Sequence, residues 1–308
     1  MLSPPREADL VLGVDLDGFL WARRRRIPFV ASLKGIIADE LKNERGWVRV
    51  LLGLQARWER RNTERADQVI VASAYSAEVA GREYGLTADR LAIVPEAIDL
   101  ETWDAQFGQA RGRVENRREA ARVVLSVARM YPRKHLADLL RAAVPLRARI
   151  PGLRIRVVGR GPEWQALSRL RAELGLGETV ALLGDVSRER LAEEYVSADI
   201  FCLPSVQEGF GIVFLEAMAA GLPVVACRAA AVPEVVQDGV TGLLAPPREP
   251  AALARILEAL LRDPARARQL GAEGRRRVTS YTPERVAERF LNAVRWTVEQ
   301  AAPRTRGE

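Results

Sequence analysis

The chain has few of the residues that build metal centres and covalent crosslinks. Its 308 residues include a single histidine, His135, and two cysteines, Cys202 and Cys227. One histidine excludes histidine-rich metal centres and most histidine-based catalytic triads. Both cysteines fall in apolar, strand-like runs, so we expect buried thiols rather than a disulfide or a metal site. Free thiols of this kind favour an intracellular location.

Long apolar runs are also absent. No stretch reaches the ~18 apolar residues that a membrane-spanning helix needs. The N-terminal stretch MLSPPREADLVLG lacks the pattern of a signal peptide. What is present is a soluble composition, with 48% hydrophobic and 28% charged residues, and enough length for two domains. We therefore expect a cytoplasmic protein whose contact with a membrane, where it has one, is peripheral and at the inner surface.

The charge balance is basic, with 47 lysine and arginine residues against 40 acidic ones. Arginines cluster at positions 23–26, 57–61 and 275–277. Basic surfaces favour nucleic acid, anionic lipid or phosphorylated substrates. No recognition motif or interleaved aromatic surface accompanies these arginines, so nucleic acid is not expected as a partner. Contact with an anionic membrane stays open, as does the alternative of charges on solvated helix faces.

One predicted helix bears on that choice. Its apolar residues recur at helical spacing and are flanked by arginines. The apolar stripe consists of Trp47, Val50, Leu51, Leu54 and Trp58. Such a helix fits an anionic membrane surface or a position facing the core. The narrowness of the stripe favours the core.

The most informative stretch is Ser205–Ala226, which reads SVQEGFGIVFLEAMAAGLPVVA. The pattern predicts a strand, a glycine turn at Gly209–Gly211, a short helix and a second strand. Such a unit presents the free N–H groups of a helix N-terminus to an anion. Two carboxylates, Glu208 and Glu216, bracket the turn, and carboxylates bind vicinal sugar hydroxyls. The pattern therefore indicates a nucleotide-sugar site, although two glutamates at this spacing also arise by chance.

The same stretch resembles the signature of the retaining glycosyltransferases of family 4, in which two glutamates frame a Gly-Phe-Gly turn. The resemblance implies that Glu216 holds the ribose hydroxyls of a nucleoside-diphosphate sugar and that Glu208 contacts the transferred sugar. It also implies main-chain contacts to the sugar and the phosphates from the turn and the helix start. These residues are Gly209, Phe210, Gly211, Ile212 and Val213.

Further segments carry the resemblance. SVARMYPRKH is similar to the family segment whose arginine and lysine grip the diphosphate, which implies that role for Arg129 and Lys134. VGRGP resembles the family's glycine turn on the nucleotide side and implies contacts from Gly159 and Arg160. Relatives contact the base by main chain near Leu182. Lys34 stands where the family usually has a donor-facing histidine, and we expect it to contact a phosphate or hydroxyl or to be solvated.

The chain departs from the family pattern at several positions. Glu96 and Ala97 replace the Asn and Gly of the usual PNGID turn. Ala230 and Ala231 stand at a Gly-Gly turn, and because alanine disfavours positive φ we expect an altered backbone there. The part of the family that precedes Asp9, roughly 80 residues judged from typical domain size, is absent. We expect the first sheet to lack strands as a result.

The resemblance and the alternation of strands and helices imply the GT-B fold: an α/β protein with two Rossmann-like parallel-sheet domains facing a cleft, the first one incomplete. We assign residues 1–112 to a truncated acceptor-side domain and 113–283 to the donor-binding domain. Residues 284–308 are assigned to a crossover helix and tail. The stretch 101–119, polar and containing Gly108 and Gly112, is expected to be an irregular linker.

The resemblance implies a retaining, metal-independent glycosyltransferase without a cofactor. Glu208, Arg129 and Lys134 would be its catalytic residues, and a UDP-sugar or GDP-sugar its donor. The acceptor would be a carbohydrate or lipid-linked hydroxyl in polysaccharide or glycolipid biosynthesis. The alternative is a GT-B subunit that binds nucleotide sugar but is catalytically silent or depends on a partner. Because the opening strands are absent, we expect weak transfer by the chain alone.

Overall fold

The computed structural model describes residues 8–18, 27–114 and 122–301. These residues form two compact units, one within Met1–Glu96 and Pro283–Glu308 and the other within Ala97–Thr282. Each unit is built on one parallel sheet. Among the described helices, none is long and apolar enough to cross a membrane.

Within the described residues, the sheet of the first unit has four parallel strands in sequential order. They are β1 (Val11–Val14), β2 (Phe29–Leu33), β3 (Gln68–Val71) and β4 (Leu91–Ile93). The two central strands are buried along their whole length, as expected for strands that are covered on both faces. The helices of this unit are α1 (Ile37–Glu40), α2 (Gly46–Arg65), α3 (Ala74–Tyr84) and α12 (Pro283–Ala301).

The last helix, α12, packs on this first sheet. Its apolar side chains Val286, Phe290 and Ala293 contact a buried cluster that includes Val30 of β2 and Ile70 of β3. The Thr297 hydroxyl donates a hydrogen bond of 2.8 Å to the Gln68 side chain at the start of β3. Helix α12 is thus part of the core of the first unit.

The sheet of the second unit has six parallel strands in the order β10-β9-β8-β5-β6-β7. They are β5 (Arg122–Val127), β6 (Leu153–Val158), β7 (Val180–Gly184), β8 (Ile200–Leu203), β9 (Val224–Cys227) and β10 (Gly242–Ala245). The helices are α4 (Leu100–Val114), α5 (Leu136–Arg149), α6 (Trp164–Glu173), α7 (Arg188–Ser197), α8 (Ile212–Ala219), α9 (Val232–Val235), α10 (Pro250–Arg262) and α11 (Pro264–Val278). The strand order reverses between β5 and β8, and open α/β sheets bind ligands beyond such a point.

The predicted α/β fold with two parallel sheets is confirmed. Cys202 and Cys227 are free and buried on adjacent strands, as expected. The predicted linker is wrong, because residues 100–114 form helix α4 rather than an irregular segment. Trp103 and Phe107 are buried on one face of this helix, whereas Gly108 and Gly112 face open space. Glycines on an exposed face lower helix propensity by only about 1 kcal/mol each, which packing overrides.

The sequence predicts a helix at residues 16–25, most of which lies outside the described residues. Its described part is a turn, in which the Asp17 amide donates to the Val14 carbonyl. The arginine cluster at 23–26 also lies outside them, as do residues 115–121.

The apolar stripe of α2 is exposed, so its predicted position against the core is wrong. The helix instead buries a smaller, more polar face that includes Ala56, Glu59 and Asn62. Periodicity identifies a stripe but does not say which face a protein turns inward.

Candidate functional site

The loops that follow β5 and β8 lie side by side at the point where the strand order of the second sheet reverses. The Val206 amide, after β8, donates a hydrogen bond of 2.9 Å to the Arg133 carbonyl, after β5. The two strands are direct neighbours, with Val124 opposite Ile200. This is the edge at which doubly wound sheets bind their ligands.

An ion pair links the two loops. The Lys134 ammonium lies 2.7 Å and 2.8 Å from the two carboxylate oxygens of Glu208. The Ser205 hydroxyl donates a further hydrogen bond of 2.7 Å to the same carboxylate. The pair is buried, with side chains 14% and 7% exposed. The structure therefore brings together two predicted catalytic residues that are 74 positions apart. Ser205 is a further contact of this pair, and no sequence motif predicts it.

The glycine turn between Glu208 and α8 has a backbone that only glycine adopts easily. Gly211 has φ of 96°, and a Cβ atom there would lie 2.6 Å from the Phe214 ring. The Phe210 side chain points into the core, where its ring meets the Tyr281 ring edge-on at 5.6 Å. Ile212, the first residue of α8, is exposed. The turn thus anchors one side chain and leaves the N-terminus of α8, with its positive dipole end, facing outward next to Glu208.

Glu216, in the second turn of α8, is held by a tyrosine. The Tyr195 hydroxyl donates a hydrogen bond of 2.7 Å to its carboxylate. Burial raises the pKa of Glu216, while the Tyr195 hydrogen bond and the charge of Arg188 act in the opposite direction. Tyr195 is itself fully buried, with its ring against Trp103. It lies 21 residues before Glu216 in no recognisable motif, so the sequence carried no signal for it.

A second glycine turn packs against the loop after β5. A Cβ atom on Gly159, whose φ is 111°, would lie 2.2 Å from the Ala128 carbonyl oxygen. The Met130 amide donates to the Arg160 carbonyl at 3.0 Å. The glycines of this turn therefore permit close backbone contact on either side of Arg129. The Arg129 side chain itself is exposed at the carboxyl end of β5.

Two predicted ligand contacts lie farther from this centre. The Arg160 guanidinium stacks over the Trp164 ring at 4.6 Å. Leu182 lies on β7, the outermost strand on this side of the described sheet, and pairs with Val157 of β6. Both belong to the nucleotide side of the predicted site.

Lys34 belongs to the first unit, where it follows β2. Its ammonium lies 2.9 Å and 3.1 Å from the Glu96 carboxylate oxygens, and its amide donates to Asp15 at 2.8 Å. Its predicted contact with a donor phosphate or hydroxyl stays a prediction.

The loop after β9 touches the site through its backbone. The Ala231 amide donates to the Glu208 carbonyl at 3.3 Å. Ala230 has φ of 50°, in the left-handed region that alanine disfavours by roughly 1–2 kcal/mol. Residue 230 therefore adopts the left-handed conformation although it is an alanine. Across the described ranges, no cluster of three or more His, Cys, Asp or Glu side chains could hold a metal ion.

Comparison with known families decides the relationship. Residues 110–277 match the family described as glycosyl transferases group 1, and residues 6–102 match Glycosyltransferase Family 4. The chain belongs to the glycosyl transferases group 1 family. The resemblance found in its motifs is thus confirmed.

Relatives of the chain are about one third identical to it over the aligned residues. It is 34% identical to a GDP-mannose-dependent alpha-(1-6)-phosphatidylinositol monomannoside mannosyltransferase of Mycolicibacterium smegmatis, over 80% of the chain and 65% of that protein. It is 35% identical to a D-inositol 3-phosphate glycosyltransferase of Nocardia farcinica, over 74% of the chain and 52% of that protein. The chain therefore spans about half to two thirds of the length of these relatives.

Solved structures share the fold of the chain. Sucrose-phosphate synthase from Thermosynechococcus elongatus superposes with a TM-score of 0.78 at 28% identity, over 94% of this chain and 73% of that one. The Anabaena protein HepE, in complex with UDP and glucose, superposes with a TM-score of 0.76 at 21% identity, over 93% and 77% of the two chains. The fold class of this chain is GT-B, with two Rossmann-like parallel sheets.

Proposed function

We propose that the chain binds a nucleoside-diphosphate sugar and transfers its sugar, with retention and without a metal ion, to an acceptor hydroxyl. The observation that carries this proposal is the buried Lys134–Glu208 pair beside the N-terminus of α8, where the strand order of the second sheet reverses. No cofactor other than the donor enters the proposal.

The arrangement assigns a role to each group. Departure of a nucleoside diphosphate creates negative charge, which Arg129, Lys134 and the dipole of α8 would stabilise. Glu216 would accept hydrogen bonds from the ribose hydroxyls, in an orientation fixed by Tyr195. Glu208 would contact the transferred sugar. The acceptor attacks on the face from which the diphosphate leaves, and the departing phosphate takes its proton, so no covalent nucleophile is needed.

The main chain completes the donor site in this proposal. Backbone groups of the turn and the start of α8 would contact the sugar and the phosphates. The turn around Gly159 and Arg160 and the main chain near Leu182 would contact the nucleoside. The backbone contacts assigned to the sugar and phosphates come from Gly209, Phe210, Gly211, Ile212 and Val213.

The relatives narrow the substrates to be tested. One is named for GDP-mannose and phosphatidylinositol monomannoside, and HepE was solved with UDP and glucose. GDP-mannose and UDP-sugars are therefore the first donors to screen. The proposed acceptor is a carbohydrate or lipid-linked hydroxyl, which would place the protein in the cytoplasm at the inner membrane surface. A chain that binds donor but transfers nothing would support the alternative of a silent or partner-dependent subunit.

The Glu216→Gln variant tests the donor site. A neutral amide replaces a charge-assisted acceptor, so affinity for the cognate nucleoside diphosphate should fall by roughly 1.5–3 kcal/mol, or about 10- to 150-fold. Isothermal titration calorimetry across nucleoside diphosphates measures this loss. The matched control is Glu178→Gln, an exposed glutamate in the same unit, which should bind as the parent does. Unchanged affinity in Glu216→Gln would remove this residue from the site.

A further inference from the structure

The N-terminal half of α2 exposes an apolar surface. Trp47 is 85% exposed and Trp58 is 51% exposed. Thirteen large apolar side chains are strongly exposed among the described residues, and six of them lie on this helix. The six are Trp47, Val48, Val50, Leu51, Leu54 and Trp58. Single exposed apolar residues need no explanation, but a contiguous patch indicates an interaction surface.

The exposure is fixed by how the opposite side of α2 is anchored. The Asn62 amide donates to the carbonyls of Asp15 and Asp17, at 3.1 Å and 3.0 Å. The buried Glu59 carboxylate accepts a hydrogen bond of 2.9 Å from the Ile37 amide. At 100° per residue, the buried face lies roughly 120° around the axis from the apolar stripe. The helix therefore cannot turn its tryptophans inward without breaking these contacts.

The charges beside the stripe have one sign. Arg45, Arg49, Arg57, Arg60 and Arg61 are all exposed, with Arg57 and Arg61 next to the stripe and Arg49 and Arg60 on the other side of the helix. Of the nearby acids, Glu59 is fully buried and Glu64 is paired with Arg60 at 2.8 Å. Arg57 and Arg61 fall along one edge of the stripe on a helical wheel. The surface is thus apolar along its centre and cationic along its margin.

We propose that this face of α2 docks on a bilayer that contains anionic phospholipid. Apolar side chains would enter the boundary between headgroups and acyl chains, and the flexible arginines would reach the phosphates. Tryptophans at both ends of the stripe suit the interfacial layer, where amphipathic rings accumulate. A partner protein of ordinary composition offers apolar contacts but no comparable sheet of negative charge. The proposal concerns the first unit and does not depend on the transferase activity.

Vesicle co-sedimentation of the full chain tests the proposal. We expect binding to vesicles of phosphatidylcholine with phosphatidylglycerol, and much weaker binding to phosphatidylcholine alone. Each arginine near an anionic surface accounts for about a fivefold change in binding, so Arg57→Gln with Arg61→Gln should weaken it about 25-fold. The matched control replaces two exposed arginines of the other unit, Arg169→Gln with Arg255→Gln, and should bind as the parent does.

The apolar half of the surface needs its own variant. Trp47→Ala with Trp58→Ala should reduce vesicle binding and also the blue shift of tryptophan fluorescence on adding anionic vesicles. Trp296→Ala, at an exposed tryptophan of α12, is the control. Equal binding by all variants, or equal binding to neutral and anionic vesicles, would overturn the proposal. A parent that is dimeric by light scattering, and monomeric after Trp47→Ala with Trp58→Ala, would instead identify the face as an interface between copies.

Discussion

Each unit holds a lysine–glutamate pair beyond the carboxyl ends of its strands, and the two pairs differ in their surroundings. In the second unit, Lys134 and Glu208 are 14% and 7% exposed, and Ser205 adds a third hydrogen bond. In the first unit, Lys34 and Glu96 are 54% and 19% exposed. The residue types and the ion-pair distances are alike, so burial is the main difference between them.

Because of that difference, the two pairs should contribute differently to stability. Exposed ion pairs contribute about 0–1 kcal/mol, whereas removing one partner of a buried pair costs about 3–5 kcal/mol. Lys34 and Glu96 are also two positions at which the chain departs from its family, with lysine for histidine and glutamate for asparagine. The structure shows that these departures satisfy one another. The Lys134–Glu208 pair consists of residues that the family pattern has, whereas both residues of the Lys34–Glu96 pair depart from that pattern.

The sharpest way to break this comparison is to remove each lysine. Lys134→Met leaves the Glu208 carboxylate buried without its cation and should lower the free energy of unfolding by about 3 kcal/mol. Lys34→Met should lower it by less than about 1 kcal/mol, because water can solvate Glu96. Urea unfolding followed by circular dichroism measures both.

A double variant separates the pair from the packing of the lysine stem. Lys134→Met with Glu208→Gln removes both charges and should recover most of the stability lost in the single variant. Equal losses in Lys134→Met and Lys34→Met would mean that burial does not distinguish the pairs. No recovery in the double variant would assign the loss to packing.

The same contrast explains how much the sequence could predict. The second sheet follows from alternating apolar runs and helices, and its site follows from a motif in which each residue has a local reason. Gly211 is needed because its φ is positive. Glu208 and Glu216 lie on either side of the turn that contains it. The pairing of Lys134 with Glu208 also follows once β5 and β8 are neighbours, since the carboxyl ends of parallel strands share one edge.

What the sequence could not provide depends on distant contacts. Tyr195 is placed next to Glu216 by packing of its ring against Trp103 of α4 and Phe201 of β8, and nothing near Tyr195 in the sequence signals this. The direction of α2 depends on Asn62 and Glu59, which bind backbone groups of other segments. A polar anchor of this kind does not alter hydrophobic periodicity. The sequence therefore identifies the apolar stripe, but the prediction that the stripe faces the core is wrong. Helix α4 was missed because its two exposed glycines resemble linker residues.

The units also share a second motif, a buried glutamate that accepts a hydrogen bond from a tyrosine. The pH dependence of stability distinguishes the two glutamates. Burial raises the pKa of Glu59, bonded to Tyr84, to about 7 from its ordinary 4.5. The folded state then holds the proton more tightly than the unfolded chain. Stability is fully present below about pH 4.5 and falls by roughly 3 kcal/mol as the pH rises to about 7. Glu59→Gln should remove this fall.

Urea unfolding at about pH 5 and about pH 8 brackets most of that window. The parent should lose stability between the two conditions, and Glu59→Gln should lose less by about 2–3 kcal/mol. Glu216→Gln is the matched variant in the second unit, where the charge of Arg188 opposes the rise in pKa. Its effect on the pH dependence should be smaller. A larger effect for Glu216→Gln than for Glu59→Gln would mean that the pKa of Glu216, and not that of Glu59, is the more strongly raised.

The smallest expected effect concerns the backbone beside Glu208. Ala230 has φ of 50°, a conformation that costs alanine roughly 1–2 kcal/mol and glycine almost nothing. Ala230→Gly also raises the conformational entropy of the unfolded chain, which offsets about 0.5–1 kcal/mol of that stabilisation. A net stabilisation of at most about 1 kcal/mol should remain in urea unfolding.

The control is the neighbouring Ala229→Gly, whose φ lies outside the left-handed region and which should destabilise by about 0.5–1 kcal/mol. Both alanines are half-buried, so loss of the methyl group should cost a similar amount at each, and opposite signs would report the difference in backbone conformation. If both variants are less stable than the parent, Ala230 is not left-handed in solution, and the Ala231 amide that binds the Glu208 carbonyl is positioned by some other turn.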